Sequence, residues 1–441
     1  MDCSYDVAII GAGPAGLAAA CRLVERVDLD VIVVDAGCVL GERTRTEASE
    51  VTIGQGGAGL YSDGKFSFFP SASELWALQA ESLASGYDWV AQVLGKYGVE
   101  APPFPSADQS RVVSDEAAPL KETGWHSKRY PSSYISLQER IRLIGDLVSM
   151  AQGAKCLMQT RVGSWQRDTE GKGYKLGVSN RHGDRGEIQA EKVIIATGRF
   201  GPLDMKLAPH QQVYRRLEVG MRIEQPSADA FFSSLPGLDP KLKLVPVDGK
   251  AEWRTFCACR DGETVVSETG GLWTVSGRAD CPPSGRSNIG FNTRILDPEL
   301  GTACLRKLME GVSRADSLFT LSASEVLAGA PQALRAMDAA FGKALREQVV
   351  LGLASLAEEF PSITLPDTKL IGPTLEGVGW YPLIDEQLQF DVESVWVAGD
   401  VSGTFRGIVA AMISGHFAAA RLLAARDVAD GQLPQAELTR S

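Results

Sequence analysis

The sequence predicts an α/β chain in two units: a three-layer nucleotide-binding unit with a small antiparallel meander, and an α+β unit with a mostly antiparallel sheet. Three observations predict it. The stretch YDVAIIGAGPAGLAAACRLVER (Tyr5 to Arg26) reads as strand, glycine turn and small-residue helix. A second apolar run, VIVVD, ends in Asp35 after about the spacing a βαβ unit requires. Between Leu217 and Ile295, several runs alternate apolar and polar residues with the period of a half-buried strand.

In the first unit, the apolar run Val7 to Ile10 breaks at Gly11 and turns through Gly13, and the helix opens at Pro14 and Ala15. Gly11 permits the tight turn, and Gly13 has no side chain to block a pyrophosphate. Gly16 lets the helix lie close on the strand, and the helix N-terminus points its positive dipole end at the phosphates. Asp35, followed by Ala36, is placed to accept a hydrogen bond from a ribose hydroxyl. The loop AGCVLGERTRTEASE then lays Arg43 or Arg45 beside a pyrophosphate or leaves them in solvent. Next, VTIGQGGAGLYSDGKF crowds Gly54, Gly56, Gly57, Gly59 and Gly64 around Ala58. Such density suits backbone passing close to a flat ligand, or a flexible loop.

Helical spacing is expected over Glu74 to Gly98, and from Ser132 through Val148. CLMQTRV, YKLGVSN and KVIIATG read as strands, the last ending the nucleotide sheet and the others contributing a meander. A new unit begins near Met205. LEVGMRIEQ, RTFCACRDG, ETVVSETGGLWTVSG and SNIGFNTRI are its strands, and Pro298 to Arg314 and Ser324 to Glu359 its helices. SVWVAGD is a final strand, leading into the small-residue helix of SGTFRGIVAAMISGHFAAARLLAA. The tail RDVADGQLPQAELTRS has no apolar period and is expected to fray. Residues 1–73, 132–204 and 370–441 are thereby assigned to the nucleotide-binding unit, and 74–131 and 205–369 to the second.

Composition narrows the function classes. The chain has 441 residues, 44% hydrophobic and 22% charged, with a formal net charge of −11. An acidic balance argues against nonspecific nucleic-acid binding. The expectation is a cytoplasmic protein without a membrane span, since no signal-like segment or unbroken apolar run of about 20 residues is evident. The eight cysteines are scattered and read as reduced thiols. Cys257 and Cys259, in TFCACRD, would share one face of a strand. The four histidines show no ligand spacing, and no metal is expected.

The trio GAGPAG, IIATG (Ile194 to Gly198) and WVAGD (Trp396 to Asp400) resembles the FAD-binding fold of glutathione-reductase-type flavoproteins, a Rossmann-like fold. GQGGAGLYSDGK, VGMRIEQP, TFCACRDG, the Ser276 to Asn288 run and GDVSGTFRGIVAA further resemble a bacterial family of FAD-dependent dehydrogenases. The resemblance implies non-covalent FAD. Ala196, Thr197 and Gly198 would then lie under the ADP half, Val162 would meet adenine through its backbone, and the loop Gly56 to Gly59 would run along the isoalloxazine. Gly399 and Asp400 would bring a carboxylate to the ribityl chain. The helix starting at Gly407 and Ile408 would aim backbone N–H groups at the flavin N1–C2=O edge.

No second strand–GxGxxG–helix follows, so a built-in nicotinamide domain is not expected. The reading this favours is an FAD-dependent oxidoreductase, dehydrogenase or oxidase in type, moving hydride between a small organic substrate and flavin N5. Its external electron donor or acceptor is unassigned. A single-component NAD(P)H-dependent flavin monooxygenase is the alternative, and a non-catalytic binding protein on the same fold a remote one. Lys65 and Arg222 are the candidate groups acting on substrate, with Arg278 a further polar candidate.

Overall fold

In the computed structural model, residues 3–106, 118–119, 124–128, 130–169, 173–246, 249–390 and 394–429 are described. Five parallel strands form the heart of the first sheet. Their spatial order is Lys155–Leu157, Val31–Val34, Cys3–Ile10, Arg185–Ile195 and Val395–Val397. Numbered by appearance in the chain, this is 3-2-1-4-5, the doubly wound order of a Rossmann-like sheet.

The strand Arg185–Ile195 serves two neighbours on one edge. Its first half pairs antiparallel with Tyr174–Asn180, which pairs in turn with Thr160–Arg167. Its last three residues, Val193 to Ile195, pair parallel with Val395 to Val397. The meander and the returning strand therefore share a single edge, at successive heights.

Alternation of side chains sorts the layers. Val7, Ile9, Val31 and Val33 face the helices Pro14–Leu23, Leu137–Met150, Ala80–Gly95 and Ile408–Ala429. Ala8, Ile10, Ile32 and Val34 face the other way, against Tyr174, Leu176 and Ile188 of the meander side. The long helix Ile408–Ala429 crosses Pro14–Leu23 closely because Gly415 sits on Ala15, where a Cβ would be 2.0 Å from the Ala15 carbonyl oxygen. By length and mean hydropathy (1.6) this helix could cross a membrane, but 78% of its apolar window is buried inside the protein. It is a core helix.

The second sheet has eight strands. Their order is Phe319–Ser322, Lys369–Pro382, Gln212–Pro226, Arg286–Ile295, Ala251–Cys259, Lys241–Leu244, His126–Lys128 and Ala118–Pro119, antiparallel throughout. Here the period-two pattern has a consequence. Leu217, Val219, Met221, Ile223, Ile289, Phe291 and Ile295 pack with Leu308 and Val312 of helix Pro298–Val312 and with Leu345, Val349 and Leu353 of helix Lys343–Glu359. The alternate positions, including Glu218, Arg222, Asn288, Asn292, Glu252 and Arg254, turn a polar face towards the first sheet.

Several expectations need correction. The region 74–131 does not side with the second sheet as a whole: helix Ala80–Gly95 buries Leu83, Tyr87, Val90 and Leu94 in the core of the first. Residues 107–117 of that region lie outside the described residues. The boundary at 370 falls inside a strand, since Lys369–Pro382 pairs with Gln212–Pro226 within the second sheet. The helix expected over Ser324 to Glu359 is three helices, broken at Pro331 and at Gly342, whose φ is +77°. Ser132–Tyr134 is a strand paired with Lys65–Ser67, and the helix begins only at Leu137, capped by Ser136. The first residues of the tail, Arg426 to Ala429, continue the terminal helix, and Asp427 takes Arg26 at 3.0 Å. Residues 430–441 lie outside the described ones.

His416, in the terminal helix, is 3% exposed, stacks on Trp89 with ring centroids 5.2 Å apart, and leaves Nδ1 unpartnered. Burial, aided by the charge of Arg22, brings its pKa down to about 4. The unfolded chain takes up this proton near pH 6.5 and the folded chain only near 4, so the unfolded state binds more protons in between. The stabilisation is complete above pH 6.5 and is lost as pH falls towards 4, by about 3 kcal/mol. Urea unfolding of wild type and His416→Leu across this range should show the difference in stability shrinking as pH falls; a constant difference would refute the assignment.

Candidate functional site

A cavity of about 1450 Å³ lies between the two sheets. Ordinary small-molecule pockets run to about 300–1,000 Å³, so there is room for a dinucleotide and a second small molecule together. One wall is built from the carboxyl ends of the parallel strands, where Ile10, Val34, Ile195 and the loops that follow them reach the surface of the cavity. The opposite wall is the polar face of the second sheet.

The glycine turn is built by close backbone approach. Gly11 has φ +110°, and a Cβ there would lie 2.4 Å from the Ala196 carbonyl oxygen. Gly11 N–H donates to Val34 O, and Ala196 N–H to Ile10 O, both at 2.8 Å. Gly13 is the N-cap of helix Pro14–Leu23, and a Cβ on it would meet nothing nearer than Gly57 Cα at 3.9 Å, leaving its open side to the cavity. Gly198 and Gly407, at φ +73° and +96°, have no atom within 4 Å of the missing Cβ. Gly13, Pro14, Ala15, Asp35, Ala36, Gly57, Ala58, Gly59, Val162, Ala196, Thr197, Gly198, Gly399, Asp400, Gly407 and Ile408 all line the cavity with Gly11.

Three expected cofactor residues do not line it. Gly16 packs against the turn: a Cβ would sit 1.8 Å from the Gly11 carbonyl oxygen. Gly56, at φ +84°, backs onto Ile144 and donates its N–H to Ala12 O at 2.8 Å. Arg43 is turned inward, 7% exposed. Its guanidinium donates to the carbonyls of Gln55 (2.6 Å), Gly57 (3.0 Å), Glu50 (2.7 Å) and Val51 (3.2 Å), with Tyr61 packed against it. Burial lowers its pKa. A loop without sheet partners leaves many carbonyls to satisfy, and this cation satisfies four of them. It shapes the glycine loop from behind instead of meeting a phosphate.

Asp35 plays a double part. Oδ2 accepts from Ala12 N–H at 2.7 Å, and Oδ1 from Gly37 N–H (2.7 Å) and Gly54 N–H (3.0 Å). The carboxylate thus ties the glycine turn to the glycine loop, while a carboxylate's capacity of about four bonds leaves one for a hydroxyl in the cavity.

Neither candidate substrate group is free. Lys65 forms ion pairs with Asp63 (3.0 Å) and Asp239 (3.4 Å) and donates to Ala258 O. Burial opposes its charge, but the two carboxylates outweigh burial and hold the pKa above the ordinary lysine value. It is a fixed cation, not a base. Arg222 is 1% exposed and bonds Asn288 and the Cys257 carbonyl (2.7 Å), with Cys259 Sγ at 3.6 Å. It positions the strand end, and both it and Lys65 line the cavity. Arg278 holds Arg45 O at 2.9 Å, away from the cavity.

The Cys257/Cys259 pair departs from regular strand geometry. Cys257 adopts φ +52° at a bulge where the pairing shifts between Phe256 and Cys259. The two sulfurs lie 4.0 Å apart, and the hydrogen bond from Cys257, with Arg222 nearby, lowers the pKa of Cys259.

At the other end of the cavity, the chain returns. Ala398 N–H donates to Ile195 O at 2.9 Å, which places Gly399 against Ala15, where a Cβ would be 2.9 Å from the Ala15 Cβ. Asp400 follows. Its Oδ2 lies 3.5 Å from both Arg199 Nε and Arg406 Nε, whereas Oδ1 is buried and has no partner. The arginines Arg199, Arg216, Arg254, Arg294 and Arg406 line the same region and were not singled out from the sequence. The signal was present, because Arg216, Arg254 and Arg294 alternate with core residues of their strands, but alternation alone does not separate a cavity face from a solvent face.

The NAD(P)-binding Rossmann-like domain family matches residues 9–78, the segment holding the glycine turn, Asp35 and the glycine loop. No curated protein sequence matches the chain. Among solved structures, a flavoprotein/dehydrogenase from Cytophaga hutchinsonii is similar at 12% identity and TM-score 0.40, over 98% of this chain and 80% of that one. The myxobacterial chondrochloren halogenase, a variant of FAD-dependent halogenases, is similar at 12% and 0.38, over 99% and 77%. Glycine oxidase from Bacillus cereus is similar at 14% and 0.41, over 98% and 97%. At such identities and TM-scores these likenesses carry no chemistry to this chain.

The inward role of Arg43 has a measurable consequence. Arg43→Met leaves four loop carbonyls short of a donor and should lower stability by about 3 kcal/mol, read as a shift in the urea midpoint. A stability unchanged from wild type would mean that the loop does not depend on this cation.

Proposed function

We propose that the chain is an FAD-dependent oxidoreductase of the dehydrogenase or oxidase type, acting on a small organic substrate. The observation that carries this reading is the orphaned Oδ1 of Asp400, a buried acceptor on a residue that lines the cavity beside the two strand ends that a dinucleotide would bridge. A buried carboxylate oxygen without a donor is costly, and a ribityl hydroxyl is a donor of the right kind for it. The open glycines 13, 198 and 407 are cradles that any Cβ would begin to fill. The cavity residues therefore fit FAD.

When bound, FAD supplies a two-electron acceptor at its ring system. The chain's part is to bind and orient. The N-terminus of Pro14–Leu23, with Gly13 at its cap, receives pyrophosphate. The N-terminus of the 22-residue helix Ile408–Ala429 turns its unpaired N–H groups to the cavity, where negative charge is favoured. Lys65 and Arg222 keep their charge at all working pH values and hold the strand end at Cys257 to Cys259 in place. The second sheet forms the opposite wall of the cavity and presents polar side chains to substrate.

The visible spectrum of the purified protein tests this directly, with the two absorption bands of oxidised flavin expected. Asp400→Ala removes one charge-assisted hydrogen bond, worth about 1.5–3 kcal/mol, so reconstitution of the apoprotein with FAD should weaken by about 10- to 100-fold. A colourless protein that takes up no added FAD would end the proposal.

A further inference from the structure

The polar wall of the cavity holds more cations than anions. Glu218, fully buried, accepts at Oε2 from Arg216 Nε (3.0 Å) and Arg294 Nε (2.8 Å), with Arg406 Nη1 at 3.5 Å, while Oε1 takes Asn292 Nδ2 at 3.3 Å. Arg294 also reaches Glu252, which Lys243 shares, each at 2.8 Å. Arg199 and Arg406 divide Glu376 and Asp400 between them. Four carboxylates thus face six cations once Arg254 is included.

Arg254 is the member left over. Its nearest carboxylate atom, Glu218 Oε1, is 3.8 Å from Nε, and it makes no hydrogen bond among the described residues. Its guanidinium lies over the Phe256 ring at 5.7 Å. The side chain is only 19% exposed and lines the cavity. Burial, together with the nearby charges of Arg294 and Arg406, depresses its pKa to about 10, the direction expected of a cation among cations. Held among other cations, with only a long contact to Glu218 and one side open to the cavity, this guanidinium is placed to take an anion.

We infer that Arg254 is the anchor for the carboxylate of the substrate, so that this cavity takes small organic acids. A planar guanidinium meets a carboxylate with two parallel bonds and fixes its orientation, and a carboxylate brings the negative charge the cluster lacks. That the anion is a redox substrate rests on the flavin reading above; the anion site itself does not.

The test uses the purified holoprotein, titrated with benzoate and acetate, their neutral amides benzamide and acetamide, and glycerol phosphate. Binding is read by calorimetry and by perturbation of the visible spectrum. Carboxylates should bind and the amides should not. Arg254→Met should weaken carboxylate binding by about tenfold or more, and Arg254→Lys by less, since it keeps the charge and loses the fork. Without ligand, Arg254→Met should leave the unfolding midpoint unchanged or raise it, because a surplus cation is removed; a merely structural ion pair would do the opposite. Added benzoate should raise the midpoint of wild type alone. Equal carboxylate affinity in wild type and Arg254→Met, amides binding as well as acids, or glycerol phosphate binding in preference to carboxylates would each overturn the assignment. A colourless protein that still binds benzoate through Arg254 defeats the flavin reading and keeps the site, whereas a yellow protein blind to carboxylates does the reverse.

Discussion

A three-residue parallel pairing holds this molecule's functional geometry together. Val395 to Val397 lie beside Val193 to Ile195, roughly two hundred positions earlier in the chain, and Ala398 donates to Ile195 to finish the register. Everything at that end of the cavity depends on the register. It sets Gly399 on Ala15, carries Asp400 to the rim, and aims the start of helix Ile408–Ala429. The helix then locks the arrangement by crossing Pro14–Leu23 at Gly415, where backbone meets backbone and no side chain intervenes. Parallel strands distant in sequence bring a large loop-closure cost. Here the buried apolar face of the terminal helix offsets it, since Ile408, Met412, Ile413, Phe417 and Leu422 all enter the core.

The second sheet solves a different problem with the period of the strand. One face is apolar and covered by helices; the other is polar and covered by the first unit. A polar face closed off from bulk water must satisfy its groups internally. Glu218 does so with arginines and Asn292, and Arg222 with Asn288 and the Cys257 carbonyl. Arg254, with only a 3.8 Å contact to Glu218, and Asp400, with a bare Oδ1, both line the cavity.

Local rules read well where backbone conformation itself was at stake. Gly11 and Gly16 answer to turn and packing, and each does so through neighbours a few residues away or on the adjoining strand. The side chains misjudged were those whose partners, near or far in the chain, depend on how the loops and the second sheet fold around them. Arg43 looked like a phosphate ligand because arginines in glycine-rich loops are suited to that, but the loop's own carbonyls were nearer and unpaired. Lys65 looked available until Asp239, from the second unit, came within 3.4 Å. Cys257 and Cys259 were expected on a regular strand, and no local signal announced the bulge that turns Cys257 left-handed.

By itself, the sequence determined the opening strand–turn–helix, the glycine turn and the polar-apolar alternation of the second sheet, because each is encoded by residues within a few positions of one another. Tertiary structure alone decided which polar positions face the cavity, which arginine is left unpaired, and that helix Ala80–Gly95 and strand Lys369–Pro382 exchange the units assigned to them. The physical reason is that charge pairing and burial depend on what distant segments bring alongside, and a one-dimensional pattern records the face of a residue without recording what covers it.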